Sequence, residues 1–427
     1  MFKNVDDAFN WMVSFTNLEK KPDLSKRGYR LDKMEFLLEI FKNPHMSYKI
    51  IHVAGSKGKG STCGFLASIL NEAGYKTGVY SSPHLIDFRE RITNNHNFFS
   101  KNSYLSVINK IKNKLSDMNF EDFPGGEPTT FELMTLAAFM IFKKEKCQLV
   151  VLETGLGGRL DSTNVVTPIA SVITPIELEH TDLLGETIEE ITGEKAGIIK
   201  KGVPVFTSNF EKKVLEIIRS RADSLQSPFY NISEKYSSFV NENGSFLIYK
   251  SNEYKLGLEG RIQGENALLA IKVINKIFPN ITTEIIVEGL MKTTIPGRFQ
   301  KLQAKVPVIV DGAHTKNSIK NTVDTFTSLY KSGTLIFGAL EGKDITSMVL
   351  AIKGYFSKII ISKPGTFKNS NLPDLQEVFI TEGIQTEIIE DPRGALREAE
   401  SYNSPILVTG SFYMAGEIAK ILGLDEQ

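Results

Sequence analysis

At 427 residues the chain exceeds what one ordinary hydrophobic core holds, and two or three domains of ~100–200 residues each are expected. Its 41% hydrophobic and 23% charged residues are those of a soluble globular protein. Fifty Lys and Arg balance fifty Asp and Glu, which excludes a global field for nucleic acid or an anionic membrane, so an anionic ligand needs a local site.

The opening residues MFKNVDDAFNWM lack the apolar centre of a signal segment, and no run approaches ~18 apolar residues. The two cysteines, Cys63 and Cys147, lie far apart, which argues against a disulfide framework and suits a reducing compartment. The cytoplasm is the expected location, with neither membrane nor nucleic acid as partner.

Short β-branched runs at 49–55 (KIIHVAG), 148–155 (QLVVLETG), 169–175 (IASVITP) and 203–208 (VPVFTS) read as buried parallel strands. Helices are expected between them, among them Thr62–Ala73, Phe131–Phe142 and Thr187–Ile199. Residues 227–260, rich in Ser, Asn, Tyr and Gly, suggest a small β excursion. Thr293-Thr294-Ile295-Pro296-Gly297-Arg298 breaks the pattern and is expected to be a hinge. The strand grammar then restarts at 307–314 (PVIVDGAH), 334–340 (TLIFGAL), 358–362 (KIIIS) and 405–411 (PILVTGS). Such alternation implies doubly wound α/β layers, in which ligands collect at the carboxyl ends of strands.

The first strand runs into Gly55-Ser56-Lys57-Gly58-Lys59-Gly60-Ser61-Thr62, and a helix follows. Glycines let backbone N–H groups wrap phosphate oxygens, and the helix N-terminus adds positive potential. Lys59 is placed to reach the outer phosphates of ATP; Gly60, between it and the first hydroxyl, departs from the common Walker spacing. Glu153 ends an apolar strand just before a glycine-rich turn. A carboxylate there is poor core filler, because an unpaired buried charge costs several kcal/mol, whereas magnesium beside a triphosphate needs such an oxygen.

Several ordered motifs carry a family resemblance. The phosphate loop is followed by Tyr80-Ser81-Ser82-Pro83-His84-Leu85 and by 152–164 (LETGLGGRLDSTN). Then come His180, Glu194-Lys195-Ala196-Gly197-Ile198, Gln263-Gly264-Glu265-Asn266-Ala267, Pro296-Gly297-Arg298 and Asp311-Gly312-Ala313-His314. In this order they resemble the folylpolyglutamate synthase/dihydrofolate synthase family of Mur-type ATP-dependent amide ligases, from about residue 25 to the end. The resemblance implies a phosphate-loop doubly wound N-terminal α/β domain (1–296) holding ATP and the pterin-bearing substrate. A smaller Rossmann-like α/β C-terminal domain (297–427) would close on ATP and glutamate. It also implies a monomer that joins L-glutamate to dihydropteroate or a reduced folate through an acyl phosphate.

By the same resemblance Ser82, Glu153 and His180 are magnesium ligands, with two magnesium sites expected, and Lys195 is carbamylated by carbon dioxide. Taken alone, His180 reads as an ordinary loop histidine and Lys195 as a solvated helix lysine. Gly55, Ser56, Lys57, Gly58, Lys59, Gly60, Ser61, Asn266, Arg298 and Asp311 match the nucleotide contacts. Lys59, Lys195, Arg298 and His314 are the candidate catalytic groups. His314 and Ser411 are candidates for the glutamate pocket, although 311–314 alone also reads as a strand-end turn. Thr129, Thr130, Phe131 and Glu132, with Leu160 and Asp161, match the pterin side. Phe131 either stacks on a flat ring or fills the core. Arg159 implies activity on dihydropteroate as well as on reduced folates, unless it only pairs with a local carboxylate and braces the turn. Lys57, Glu179 and Thr315 stand where the family usually shows asparagine, aspartate and asparagine. Two rivals remain: another Mur-type ligase acting on a cell-wall nucleotide precursor, and a phosphate-loop switch that performs no synthesis.

Overall fold

In the computed structural model, residues 1–19, 30–232, 234–365 and 370–423 are described. The chain divides into two compact units. One comprises Met1–His84, Phe88–Glu234 and Asn266–Leu290; the other comprises Leu85–Asp87, Lys235–Glu265 and Met291–Gln427.

The first unit is built on eight strands: β1 (Lys49–Ala54), β2 (Thr77–Tyr80), β3 (Ile92–Asn94), β4 (Asn97–Phe98), β5 (Leu149–Glu153), β6 (Ala170–Ile173), β7 (Val205–Thr207) and β8 (Phe229–Asn231). Their order is β4-β3-β2-β5-β1-β6-β7-β8. All pairs from β2 to β8 are parallel, and β3 and β4 add an antiparallel edge. Strands β2, β5, β6 and β7 are buried throughout, because helices cover both faces; that is why they read as continuous apolar runs. The chain leaves β1 for β2 on one side and later crosses to β6 on the other. A topological switch point therefore lies at the carboxyl end of β1, where the phosphate loop begins.

Three expected helices shift at their ends for local reasons. The helix after the loop spans Lys59–Glu72, three residues earlier than Thr62, because Gly58 takes a left-handed conformation that starts it there. Thr129 caps the helix Thr130–Lys144. Thr187 caps Ile188–Ala196, a shorter helix than the expected 187–199.

In the β excursion, the strand β8 extends the main sheet. The remainder is an antiparallel meander of β9 (Tyr236–Asn241), β10 (Gly244–Tyr249) and β11 (Asn252–Leu256), which groups with the second unit.

The second unit's main sheet contains β12 (Gln300–Leu302), β13 (Val308–Val310), β14 (Thr334–Phe337), β15 (Lys358–Ile361), β16 (Glu387–Ile388) and β17 (Ile406–Thr409). The order is β12-β13-β17-β14-β15-β16, with only β12 antiparallel. Period-two alternation is explicit here. Ile309, Leu335, Phe337, Ile359 and Leu407 join a cluster with Val323, Phe326 and Phe379. Val308, Val310, Ile336, Ile360 and Val408 join a separate one with Leu396, Met414 and Ile418. The turn at Gly297, φ 66, is tied into this unit by the Gly312 N–H, which donates to the Gly297 carbonyl at 3.0 Å.

Among the described residues, no helix is long and apolar enough to cross a membrane.

Candidate active site

Two loop glycines are required by close approach. A Cβ on Gly55, φ 148, would lie 1.9 Å from Thr174 Oγ1, and one on Gly58, φ 81, would lie 2.2 Å from Asn266 Oδ1. The second contact places the buried Asn266 side chain, from the helix Gln263–Ile277, directly against the phosphate loop. The Ser56 and Lys57 N–H groups donate to the Pro175 carbonyl at 2.9 and 3.2 Å, and Ser56 Oγ donates to Glu177 O at 3.0 Å. Those two residues thus dock the loop on the chain leaving β6. The N–H groups of the helix's first turn, Lys59 to Ser61, have no intrahelical acceptor by construction and face the anion-binding end.

Two ammonium groups converge above this loop. Lys59 Nζ donates to the Gly55 carbonyl at 2.9 Å. Lys195 Nζ, from the helix Ile188–Ala196, donates to the same carbonyl at 2.9 Å and to Glu179 Oε1 at 2.8 Å, and the residue is 1% exposed. Burial, and then the charge on Lys59, lower the Lys195 pKa to about 8, against the opposing pull of Glu179. Burial pushes Glu179 up, but Lys195 and Lys59 outweigh it and hold the carboxyl below its ordinary range. Where the family usually has aspartate, the longer glutamate reaches this buried lysine. The sequence signals neither the ion pair nor the shared carbonyl, which Lys195 reaches from 140 residues away.

The strand register brings two of the expected metal ligands, Glu153 and Ser82, to the carboxyl ends of neighbouring strands. Glu153 ends β5, between β1 and β2, and Tyr80 of β2 pairs with Leu152, so Ser82 leaves the neighbouring strand at the same end. Glu153 is 5% exposed, and its Oε2 lies 3.7 Å from where a Cβ on Gly60 would stand. A buried carboxylate at the head of a phosphate-binding helix is a hard-oxygen donor suited to magnesium. His180 lies beyond β6 as the exposed N-cap of the short helix Thr181–Leu184, with φ 48. Among the described residues, no three His, Cys, Asp or Glu cluster closely enough to hold a metal by themselves. The expected set has only two such groups and a serine.

The pterin-side candidates divide into two kinds. Thr129 and Glu132 form a capping box, and Glu132, 2% exposed, faces the buried Lys33 ammonium at 3.6 Å. Thr130 Oγ1 donates to the carbonyls of Met12 and Phe15, and the Thr130 N–H donates to Thr16 O. These three residues fasten the N-terminal segment to the helix. Phe131 is different. It is half-buried, its ring lies 5.9 Å from the Tyr80 ring, and a Cβ on Gly155 would be 2.4 Å from its Cζ. Its face is thus held against the glycine turn. Leu160 is half-buried on that turn, while Asp161 is buried inside it, accepting from Leu156 N and Thr163 N.

Arg159 pairs with Glu194, not with Asp161: its Nη2 and Nε donate to Glu194 Oε1 at 2.7 and 3.1 Å, and its N–H donates to Glu194 O at 2.7 Å. The guanidinium therefore ties the turn to the lysine-bearing helix. Asn164 reinforces the junction, donating to Arg159 O and Gly197 O at 3.0 and 3.1 Å.

In the second unit, β13 and β17 are parallel neighbours, which brings 311–314 beside 409–411. Asp311 accepts from the N–H groups of Phe299 and Ala313 and from Thr322 Oγ1, so its carboxylate holds the turn after Gly297. The Arg298 guanidinium lies 4.8 Å from the centre of the Phe412 ring. His314 Nδ1 is 2.8 Å from Gly312 O. Ser411 Oγ donates to Gly338 O and accepts from Met414 N, so it is occupied as a helix cap. Thr315 likewise caps the helix Lys316–Tyr330. Asparagine serves that position equally well, which accounts for this departure from the family pattern.

Residues 53–274 match the family model described as Mur ligase middle domain, and residues 297–412 match that of the Mur ligase glutamate ligase domain. A Bacillus subtilis protein named dihydrofolate synthase/folylpolyglutamate synthase is 34% identical over 99% of this chain and 100% of its own length. A crystal structure of folylpolyglutamate synthase from Thermotoga maritima matches with a TM-score of 0.84 and 30% identity, covering 99% of this chain and 97% of that one. An E. coli FolC structure in complex with DHPP and ADP matches with a TM-score of 0.81 and 25% identity, covering 99% and 98%. The chain belongs to the folylpolyglutamate/dihydrofolate synthase family of Mur-type ligases.

Proposed function

We propose that this chain is an ATP-dependent ligase that joins L-glutamate to dihydropteroate and to reduced folates, forming a C–N bond. The observation that carries the proposal is the convergence of Lys59 and Lys195 on the Gly55 carbonyl at a helix N-terminus, beside the buried Glu153. The charge on Lys59 lowers the Lys195 pKa, and a polyanion placed beside the two ammonium groups relieves that repulsion; a triphosphate is such an anion.

An oxygen of the substrate carboxylate attacks the γ-phosphorus of ATP, and the bond to the bridging oxygen of ADP breaks, giving an acyl phosphate. The glutamate amine then attacks the acyl carbon. The C–O bond to phosphate breaks, inorganic phosphate leaves, and the amine loses a proton. Both steps gain from positioning and from neutralising charge on phosphate. Lys59 and the first-turn N–H groups serve the outer phosphates, with Asn266 closing the loop. Ser82, Glu153 and His180 would hold magnesium, which supplies charge neutralisation at the phosphate oxygens.

In this reading residues 1–296 serve ATP and the pterin side, with Phe131 and Leu160 against the ring. Residues 297–427 serve glutamate and part of the nucleotide, through Arg298, Asp311 and His314. Carbamylation of Lys195 belongs to the same proposal; a pKa of about 8 supports it by leaving part of the amine neutral near neutral pH. The cytoplasm is the proposed compartment, supported by the two buried free thiols Cys63 and Cys147. A monomer is the proposed state.

The test compares glutamate transfer to dihydropteroate and to tetrahydrofolate by wild type and by Arg159→Ala. Wild type is expected to extend both substrates. Arg159 has a 55% exposed side chain in its pair with Glu194, and such pairs contribute about 0–1 kcal/mol. The variant should therefore lose no more than about fivefold, equally on both substrates. A loss confined to dihydropteroate would show that Arg159 contacts that substrate, and a wild type inactive on dihydropteroate would refute the double activity.

A further inference from the structure

Beneath the glycine turn lies a titratable residue to which the mechanism above gives no role. His52, in the middle of β1, is 0% exposed, flanked by Leu152 of β5 and Ser171 of β6. Its Nε2 is 2.8 Å from Thr163 Oγ1, which is 2.5 Å from Asp161 Oδ1. The Thr163 N–H also donates to Oδ1, and the Leu156 N–H donates to Oδ2 at 2.8 Å.

Counting protons fixes the direction of this chain. Burial raises the Asp161 pKa, while backbone and hydroxyl donors from Leu156, Thr163 and Gly155 oppose that shift. A carboxylate surrounded by donors accepts at both oxygens; a proton of its own would evict one of them. The single hydroxyl proton of Thr163 therefore points to Asp161, and Thr163 Oγ1 accepts the Nε2–H of His52. Nδ1 is then a bare acceptor, and it is buried with no hydrogen-bond partner among the described residues. Burial, followed by the charge on Lys200, depresses the His52 pKa to about 3, so the ring is neutral throughout the working range.

An orphaned buried acceptor costs about 1–3 kcal/mol, and an aliphatic residue in a parallel strand would avoid that cost. The ring must bring something in return, and the one bond it makes leads to the turn. Asp161 is the only side chain in the relay that reaches Leu156, at the far side of the turn. Gly155, at the turn's start, is where the Phe131 ring rests. Histidine on β1 thereby braces the platform opposite Phe131 from below, through two side chains.

We propose that His52 is a positioning residue that acts through Thr163 and Asp161 to fix the glycine turn as one wall of the site for the flat ring of the folate-type substrate. This rests on the reading of Phe131 and the 155–161 turn as the pterin side. Because β1 also leads into the phosphate loop, a mere packing role would disturb ATP and folate binding alike. A positioning role disturbs folate binding selectively.

The experiment measures KM for ATP, glutamate and tetrahydrofolate in Thr163→Val, Thr163→Ser, His52→Leu, His52→Gln and Phe131→Ala. Valine keeps the shape of threonine and removes the relay; serine restores it. Glutamine places an N–H donor near the position of Nε2, and leucine does not. Thr163→Val and His52→Leu should raise KM for tetrahydrofolate about tenfold, equivalent to about 1.4 kcal/mol. KM for ATP should stay within about twofold, and Thr163→Ser and His52→Gln should recover most of the loss. Equal rises in both KM values, or serine behaving like valine, would overturn the proposal. If Phe131→Ala raises the folate KM and Thr163→Val does not, only the relay fails. If neither does, the pterin-side reading fails and the relay's role fails with it.

Discussion

Lys59→Ala should lose about 10²-fold or more in kcat/KM for ATP, because it deletes a charge aimed at the phosphates. The fold should survive. Its Nζ donates to the Gly55 carbonyl, and the residue occupies the first position of its helix, where alanine is a good helix former. Unchanged circular dichroism with at least a hundredfold loss is the expected pair of results. Wild-type turnover in the variant would mean that the loop does not hold the triphosphate.

Lys195→Ala should be inactive for a related but separable reason. The buried ammonium is squeezed between the Gly55 carbonyl and Glu179, within the field of Lys59. If the working group is a carbamate, short carboxylates added to the variant should restore part of the activity, and bicarbonate-free buffer should lower wild-type activity. If the working group is the ammonium, neither effect appears. Stability gives an independent reading. The Lys195 pKa is about 8 in the folded chain against an ordinary 10.5, so between these values the unfolded chain binds more protons. Stability contributed through Lys195 should then rise with pH from about 8 to about 10.5, the penalty being full below about 8. The difference between wild type and Lys195→Met in denaturant midpoint should follow that window. A difference that is flat with pH would show that the lysine is not depressed.

Much of this architecture was legible because the parallel strands are buried on both faces, so that runs such as 49–55 and 148–155 carry no polar alternation. The edge strands Ile92–Asn94 and Asn97–Phe98 are too short to leave such a signature. Within the site, glycine and lysine spacing exposes the phosphate loop, and Glu153 stands out as a charge at the end of an apolar strand. What the sequence withheld are pairings across long separations. Lys195 meets Gly55 across 140 residues, and Arg159 meets Glu194 across 35. His52 carried a readable signal, a polar residue inside a buried strand that needs a partner, but nothing local identified Thr163 as that partner. The motif residues Thr129, Glu132, Asp161 and Ser411 show the converse: they match the family's pattern, yet their polar groups are taken up by caps and turns.

Glutamate-dependent ADP release tests the central claim most directly. With ATP, magnesium and tetrahydrofolate, the account predicts little ADP until glutamate is added. One ADP should then form for each glutamyl unit gained by the folate, measured by mass. ADP release indifferent to glutamate, or glutamate transfer only to a nucleotide-linked cell-wall precursor, would contradict it.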